Sequence, residues 1–269
     1  MIDVSIIIIN YNTFQLTCNC IQSVFDKSQG FEYEIILVDN ASSECEALLF
    51  LNKFPTINLI QSKENVGFAK GNNLGLKQAK GNYILLLNSD TELINNAVGI
   101  CLNYLKLRPK VGVVSSKLIF PDGRVQSCAQ KFVSIKILLF EFLRLQKLLP
   151  KRISEETLLG AFFDYQREIE ADWVWGAFFM FPAKILSQLP NQKLDDRFFM
   201  YVEDKLWCKQ IKQLGYKIMY NPEAEVIHYM GASAGKKNEL MEKNEKIFLE
   251  LYYNKFEVRV IQILSKLLK

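Results

Sequence analysis

Apolar positions in the first ninety residues fall into short runs separated by stretches of helical spacing. Val4 to Ile9 is a continuous β-branched run, as expected of a strand covered on both faces. Tyr33 to Val38 reads as a second buried strand, Ile57 to Gln61 as a short third and Tyr83 to Leu87 as a fourth. Between them, Leu16 to Asp26, Ser43 to Phe54 and Gly67 to Gln78 have helical spacing. Thr13 stands where it can cap the first of these helices, and Pro55 stops the second. The alternation predicts βαβ units and a mixed, mainly parallel sheet flanked by helices.

The second half is less regular. Ile94 to Lys106 and Glu203 to Leu214 are predicted helices, the latter ending at Gly215. Val111 to Ile119 is a predicted strand before the turn Pro121-Asp122-Gly123, and Tyr216 to Tyr220 and Glu225 to His228 are two short ones. Asp172 to Phe181 is aromatic and apolar, with Gly176-Ala177 inside it. Phe132 to Leu149 is amphipathic, with Lys136, Arg144 and Lys147 among its apolar residues. Glu239 to Lys269 reads as one long helical pattern with Phe256, Val260, Ile263, Leu264 and Leu267 on one face and Lys255, Arg259, Lys266 and Lys269 off it. Such faces suit packing on the domain, a homodimer seam, or contact with an anionic membrane.

Bulk properties narrow the function. The 269 residues, 49% hydrophobic and 23% charged, fit one large α/β domain with an appendage. A net charge of +4 is too small to argue for nucleic acid but suits work near phosphates or a membrane face. The six cysteines show no Cys-x-x-Cys spacing and there is a single histidine, which argues against structural zinc and for reduced thiols in a cytoplasmic protein. The N-terminus lacks the basic region and apolar length of a signal peptide, and no run reaches the roughly 18 apolar residues of a span. Any membrane contact is therefore expected to be peripheral, at the cytoplasmic face of the plasma membrane.

Polar residues gather where the predicted strands end, which is where an open α/β sheet forms its ligand crevice. Asn10-Tyr11-Asn12 follows the first strand, and Asp39 ends the second, where a carboxylate can accept the imide N–H of a uracil or thymine ring or simply cap a turn. Asn65 to Asn73 joins Gly67, Gly71, three amides and a lysine ahead of a helix, giving close backbone approach and an anion-attracting N-terminus. It is neither a dinucleotide fingerprint nor a Walker loop. Asn88-Ser89-Asp90 follows the fourth strand, and Asp90 offers hard oxygen to Mg²⁺ or Mn²⁺. Glu203-Asp204 opens a helix, whose dipole would favour the ionised forms, and one of the pair can serve as a general base. The aromatic residues before it, Tyr201 among them, can form a sugar platform or core. The lone His228 precedes a loop of small residues and can be structural or a ligand. Taken singly, each of these motifs also admits an ordinary structural role.

Together and in order, they resemble the family 2 inverting glycosyltransferases, in particular the bacterial rhamnosyltransferase-like branch. The residues that carry the resemblance are Ile9 to Asn12, Val38 to Ser42, Asn65 to Asn73, Leu86 to Asp90, Trp173 to Ala177, Phe198 to Asp204 and His228 to Ser233. They span roughly residues 3 to 235. The resemblance implies a GT-A fold, with residues 1–90 as nucleotide-binding half, 91–235 as acceptor-binding half and 236–269 as an amphipathic C-terminal helical extension. It implies a UDP- or dTDP-sugar donor, Mg²⁺ or Mn²⁺, and a glycan or lipid-linked acceptor in bacterial surface polysaccharide synthesis. Asn10, Tyr11, Asn12, Asp39, Asn65, Gly67, Phe68, Gly71, Asn72, Asn88 and Ser89 would border the nucleotide. Asp90 and His228 would serve the metal, Asp204 would be the base, and Glu203 would hold the acceptor. Trp173, Trp175, Gly176 and Tyr201 would line the acceptor pocket. One departure is Asn88, at a position where many GT-A enzymes carry aspartate, and it leaves open a nucleotide-sugar-binding partner subunit or a scaffold without turnover.

Overall fold

A computed structural model describes residues 1–230 and 237–268. The predicted His228 to Ser233 motif therefore lies outside the described residues beyond Met230. The first half follows the expected alternation: β1 (Val4–Asn10), α1 (Phe14–Lys27), β2 (Tyr33–Asp39), α2 (Leu49–Lys53), β3 (Asn58–Gln61), α3 (Phe68–Leu76) and β4 (Tyr83–Asn88). The short β5 (Thr91–Leu93) and α4 (Ala97–Leu107) follow, then β6 (Val111–Ile119), β7 (Ala129–Gln130), α5 (Ile135–Phe142) and α6 (Lys151–Leu158). The remainder is β8 (Ile169–Ala171), β9 (Trp173–Val174), β10 (Phe178–Pro182), α7 (Glu203–Gln213), β11 (Lys217–His228), α8 (Lys237–Tyr252) and α9 (Lys255–Leu267).

Among the described residues the main sheet runs β3-β2-β1-β4-β10-β6-β11-β5, with β8 on β11. Strands β3, β2, β1 and β4 are parallel, because each is joined to the next by a helical crossover. β10 enters antiparallel between β4 and β6, and β11 is parallel to β6. The chain builds β2 and β3 outward on one side of β1 and then crosses back through α3 to place β4 on the other side, which makes the carboxyl ends of β1 and β4 the topological switch point. Ile6, Ile7, Ile8, Ile36, Leu37, Leu85 and Leu86 are buried, as expected of strands covered on both faces.

Several expected elements differ, for local reasons. The helix expected over Ser43 to Phe54 is only α2, because the N–H groups of Ser43 and Glu44 are held by the Asn12 carboxamide oxygen, at 2.8 and 3.2 Å. Thr13 sits at the start of α1 but makes no capping hydrogen bond; its hydroxyl turns to Asn10, and Glu44 accepts from the Phe14 N–H instead. The two short strands after Gly215 are one strand, β11, with a register shift between Asn221 and Glu225. Asp172 to Phe181 divides into β9 and β10 around Gly176. The Phe132 to Leu149 stretch is helical in α5, turns at Arg144, whose φ is 54°, and closes in one 3-10 turn at Leu145–Lys147.

The long C-terminal helical pattern is broken into α8 and α9 by a capping box, in which Asn254 and Glu257 satisfy each other's backbone N–H groups. α8 lays Phe248, fully buried, into the main core. α9 packs on α5 and α8 through Ile261, with Val258, Leu264 and Leu268 beside it. Of the stripe expected on one face, Phe256, Ile263 and Leu267 face solvent instead.

Candidate active site

The ends of β1 and β2 form a closed polar lattice. Asn10 is buried and spends its whole carboxamide internally: Nδ2 donates to Asp39 Oδ1 at 2.8 Å and Ser42 Oγ at 2.9 Å, while Oδ1 accepts from Thr17 and Thr13. Asp39 also accepts from the Ser42 N–H at 3.2 Å. Asn12 holds the 42–44 turn from left-handed backbone at φ 53°. Tyr11 beside it is exposed. Asn10 and Asn12 thus brace the loop that carries Asp39, a role the strand-end pattern did not distinguish from ligand contact.

Asn40 was not singled out by the sequence, yet it is buried and central. Its Nδ2 donates to Asn65 Oδ1 at 2.8 Å, its Oδ1 accepts from Val66 N–H at 3.0 Å, and Asn65 in turn accepts from Gly67 N–H. Two amides facing each other across strand ends are the signal that would have found it. Further along, Gly71 lies against the Ile9 side chain, and Asn72 donates back to the Phe68 carbonyl at 3.0 Å, so both serve the packing of α3. Ser89 Oγ reaches Thr13 Oγ at 3.2 Å, tying the end of β4 to the start of α1.

Beside this lattice opens a cleft of about 1460 Å³. It brings together Asn88, Asp90, His228, Glu203 and Asp204, from four different elements or their ends. Phe68, Trp173, Trp175, Gly176 and Tyr201 form much of its apolar wall. The remaining sequence candidates, from Asn10 to Asn65 and at Gly67, Gly71, Asn72 and Ser89, lie along the adjoining strand-end rim rather than in this wall.

His228 Nε2 stands 3.5 Å from Asp90 Oδ1. Gln126, also buried and not anticipated, fixes the ring: its Nε2 donates to the His228 carbonyl at 2.7 Å, which directs its Oε1 to His228 Nδ1, also at 2.7 Å. Nδ1 then carries a proton, and in the neutral ring Nε2 presents a lone pair. A ring nitrogen lone pair and a carboxylate oxygen facing each other suit a cation between them. The carboxamide oxygen of Asn88 is buried nearby in the same cleft, without a hydrogen-bond partner among the described residues. Among the described residues no three His, Cys, Asp or Glu side chains cluster as a ready metal site. The donor set therefore fits a hard divalent ion that draws its other ligands from substrate phosphates and water, as Mg²⁺ commonly does.

In the same cleft, Asp204 Oδ2 accepts from the Gly176 N–H at 3.0 Å and Oδ1 from the Lys205 N–H at 2.7 Å. Burial pushes the Asp204 carboxyl above the ordinary aspartate range, with these N–H groups and the nearby Lys205 ammonium pulling it back. Burial, and then the neighbouring Asp204, push Glu203 up as well, and its Oε2 has no hydrogen-bond partner among the described residues. The expectation that the helix dipole would favour both ionised forms is thus reversed by desolvation, the larger effect once both groups leave water. Lys205 is held by Glu245 and lies 4.6 Å from the ring centre of Phe248, both on α8.

Residues 5–181 match the profile described as glycosyl transferase family 2. The chain belongs to that family. The N-acetylglucosaminyl-diphospho-decaprenol L-rhamnosyltransferase of Mycobacterium tuberculosis is 21% identical over 226 residues, covering 75% of this chain and 68% of that protein. The minor teichoic acid biosynthesis protein GgaB of Bacillus subtilis is 28% identical over 143 residues; these cover 51% of this chain but only 16% of GgaB, so the chain matches a small part of a much longer relative. Among solved structures, GalNAc-T7 with UDP, GalNAc and Mn²⁺ superposes with a TM-score of 0.68 at 15% identity, covering 95% of this chain and 49% of its own. The expected GT-A fold, a mainly parallel α/β sheet flanked by helices, is borne out.

Proposed function

We propose that this glycosyltransferase moves a sugar from a UDP- or dTDP-sugar to a hydroxyl of a glycan or lipid-linked acceptor, with inversion, in bacterial surface polysaccharide synthesis. The observation that carries the reading is the meeting, in one cleft of a family 2 domain, of the Asp90–His228 pair and the Glu203–Asp204 pair. Residues 1–90 hold the nucleotide in this reading, with Asp39 at the base and the loop from Asn65 to Phe68 at its side. Residues 91–235 present the acceptor, and 236–269 form the helical extension. The relatives that make a rhamnosyl linkage and minor teichoic acid support the cell-surface setting.

Asp90 and His228 would hold Mg²⁺ or Mn²⁺, assisted by the Asn88 oxygen, and the ion supplies charge neutralisation for a departing diphosphate. The protein's own residues do the rest. Asp204, oriented by Gly176 N–H, takes the proton of the acceptor hydroxyl. That oxygen bonds to the anomeric carbon from the face opposite the nucleotide, and the carbon–oxygen bond to the diphosphate breaks. Glu203, kept largely protonated by its burial, orients the acceptor by hydrogen bonding. Trp173, Trp175 and Tyr201 border the acceptor and limit water at the reacting carbon.

The exposed stripe Phe256, Ile263 and Leu267 on α9, beside Lys255, Arg259 and Lys266, supports peripheral contact with an anionic bilayer. No helix among the described residues is long and apolar enough to cross a membrane.

The test is a thermal-shift panel of UDP, dTDP, GDP and ADP, each with and without Mn²⁺. A ligand at 100 times its dissociation constant adds about 2.7 kcal/mol of stability. Mn²⁺-dependent stabilisation by UDP or dTDP alone is expected. No shift with any nucleotide would withdraw the donor assignments of Asp39 and Asp90 and favour a scaffold without turnover.

A further inference from the structure

Two successive residues ahead of the paired carboxylates, Tyr201 and Val202, hold left-handed backbone, with φ of 71° and 75°. Neither is glycine. For β-branched Val202 this region is a true outlier, and the backbone there is strained. The pair turns the chain into the first turn of α7, and so decides where Glu203 and Asp204 point. Strained backbone of this kind persists only where the surroundings over-determine it.

Two elements grip the turn from different sides. From α3, the Phe68 N–H donates to the Phe199 carbonyl at 2.8 Å. From α8, Asn244 donates its amide to both the Met200 carbonyl, at 2.9 Å, and the Tyr201 carbonyl, at 3.1 Å. Both partners are acceptors, so the NH₂ end of the side chain must face them. Asn244 is 4% exposed, too little for water to replace it. The carbonyls it takes belong to the peptide units that lead into Tyr201 and Val202, where rotation would undo the left-handed pair. Glu245 and Phe248, on the same helix, engage Lys205 just beyond.

We propose that Asn244 is a positioning residue for transfer: it fixes the left-handed Tyr201–Val202 turn and thereby sets the aim of Glu203 and Asp204. The inference rests on the reading of those two carboxylates as catalytic. The plainer role for Asn244 is to anchor α8 to the domain, which would affect stability without affecting turnover.

The experiment uses the full chain as wild type, Asn244→Ala, Asn244→Asp, Val202→Gly and the Val202→Gly/Asn244→Ala pair. Nucleoside diphosphate release, with water standing in for the acceptor hydroxyl at the anomeric carbon, is followed with UDP-glucose, UDP-galactose, UDP-N-acetylglucosamine and dTDP-rhamnose, each with Mn²⁺. On a donor that the wild type turns over, Asn244→Ala is expected to lower kcat about 10–100-fold, with the donor KM within about twofold, as for a small misplacement of reacting groups. Asn244→Asp keeps the shape, loses the donors and should be at least as impaired. In the Val202→Gly background, where glycine takes positive φ without strain, the loss from Asn244→Ala should shrink to a few fold. Backbone amide exchange supplies a readout independent of turnover: Asn244→Ala should speed exchange over 199–205 while β1 and α1 stay as in the wild type. Unchanged kcat, an equal loss in both backgrounds, or unchanged exchange over 199–205 would each overturn the positioning role. Absence of turnover by the wild type on every donor would count against the transferase reading alone, leaving exchange to decide the role of Asn244.

Discussion

The backbone N–H of Phe68 donates a 2.8 Å hydrogen bond to the carbonyl of Phe199, joining the glycine-containing loop of the first half to the turn that carries Glu203 and Asp204. The contact is close because residue 67 is glycine. Gly67 has φ of +83°, and a Cβ there would fall 2.2 Å from the Phe199 carbonyl oxygen. The loop ahead of α3 and the turn ahead of α7 therefore share one interface, and the ring of Phe68 extends it by stacking on Trp207, 6.1 Å between centroids.

Gly67→Ala should consequently act at both ends of the cleft. The added methyl meets backbone rather than a side chain that can swing away, and positive φ adds its own strain. A loss of about 1–3 kcal/mol in a urea melt is expected, together with weaker nucleotide binding and slower transfer. A stable variant with wild-type turnover would show that the contact between the two halves is dispensable.

Asp204→Asn should keep donor binding and lose transfer by roughly 10²–10⁴-fold, the usual range for a positioned base. Because burial raises the Asp204 carboxyl and the base must be ionised, wild-type kcat should fall with decreasing pH along a limb displaced above the ordinary aspartate value. A larger loss in Glu203→Gln than in Asp204→Asn, with the acid limb kept in the Asp204 variant, would transfer the role of base to Glu203.

Glu203 should also mark the pH dependence of folding. Its carboxyl is raised in the folded protein, so the native state holds a proton that the unfolded chain has released. Its favourable contribution is complete below the unfolded glutamate pKa of about 4.3 and is lost as pH rises from there through the raised folded value. Glu203→Gln removes this dependence. The melting temperature of the variant relative to the wild type should therefore rise between pH 5 and pH 9, by a few degrees; a difference that stays flat over that range would show that Glu203 is ionised in the fold.

These carboxylates illustrate how far the sequence could be read. Strand ends and their polar residues were legible because a buried parallel strand is a run with few other readings, and its end falls at a predictable edge. The partners of those residues were less so. Asn10 looks like a ligand in sequence and is consumed by Asp39 and Ser42; Asn40 and Gln126 look like loop residues and hold the Asn65 loop and His228 in place. Which amide binds a neighbour and which faces a ligand depends on contacts 25 to 102 residues apart in the chain, visible only after folding. The break between α8 and α9 was written locally, in the spacing of Asn254 and Glu257, and was hidden by the apolar period running through it.

That period has a consequence on α9, where one apolar stripe packs on α5 and α8 and another faces outward. Phe256, Ile263 and Leu267 are 72%, 52% and 62% exposed, with Lys255, Arg259 and Lys266 on the same helix. The full chain is expected to float with liposomes containing phosphatidylglycerol and not with neutral ones. Phe256→Asp combined with Ile263→Glu should abolish flotation and leave the melting temperature nearly unchanged, since neither side chain supports the core. No flotation of the wild type on anionic vesicles would leave the stripe to a protein partner.

The Asp90–His228 pair makes the proposed use of a metal testable without knowing the sugar. Gln126 holds the proton on His228 Nδ1, so the neutral ring turns the lone pair of Nε2 toward the carboxylate. In that form the two atoms, 3.5 Å apart, suit a cation between them. Asp90→Asn weakens one ligand while keeping its shape, and His228→Ala removes the other. Each should abolish most of the Mn²⁺-dependent part of nucleotide stabilisation, on the order of a tenfold loss in affinity or more, while the smaller metal-free shift from base contacts near Asp39 persists. Gln126→Leu reaches the same end indirectly. By freeing the ring to take the other tautomer it should weaken the metal-dependent shift, roughly 10–100-fold for a partner that orients a ligand, with no contact of its own to nucleotide or ion. Equal Mn²⁺-dependent shifts in all three variants and the wild type would remove the ion from this end of the cleft.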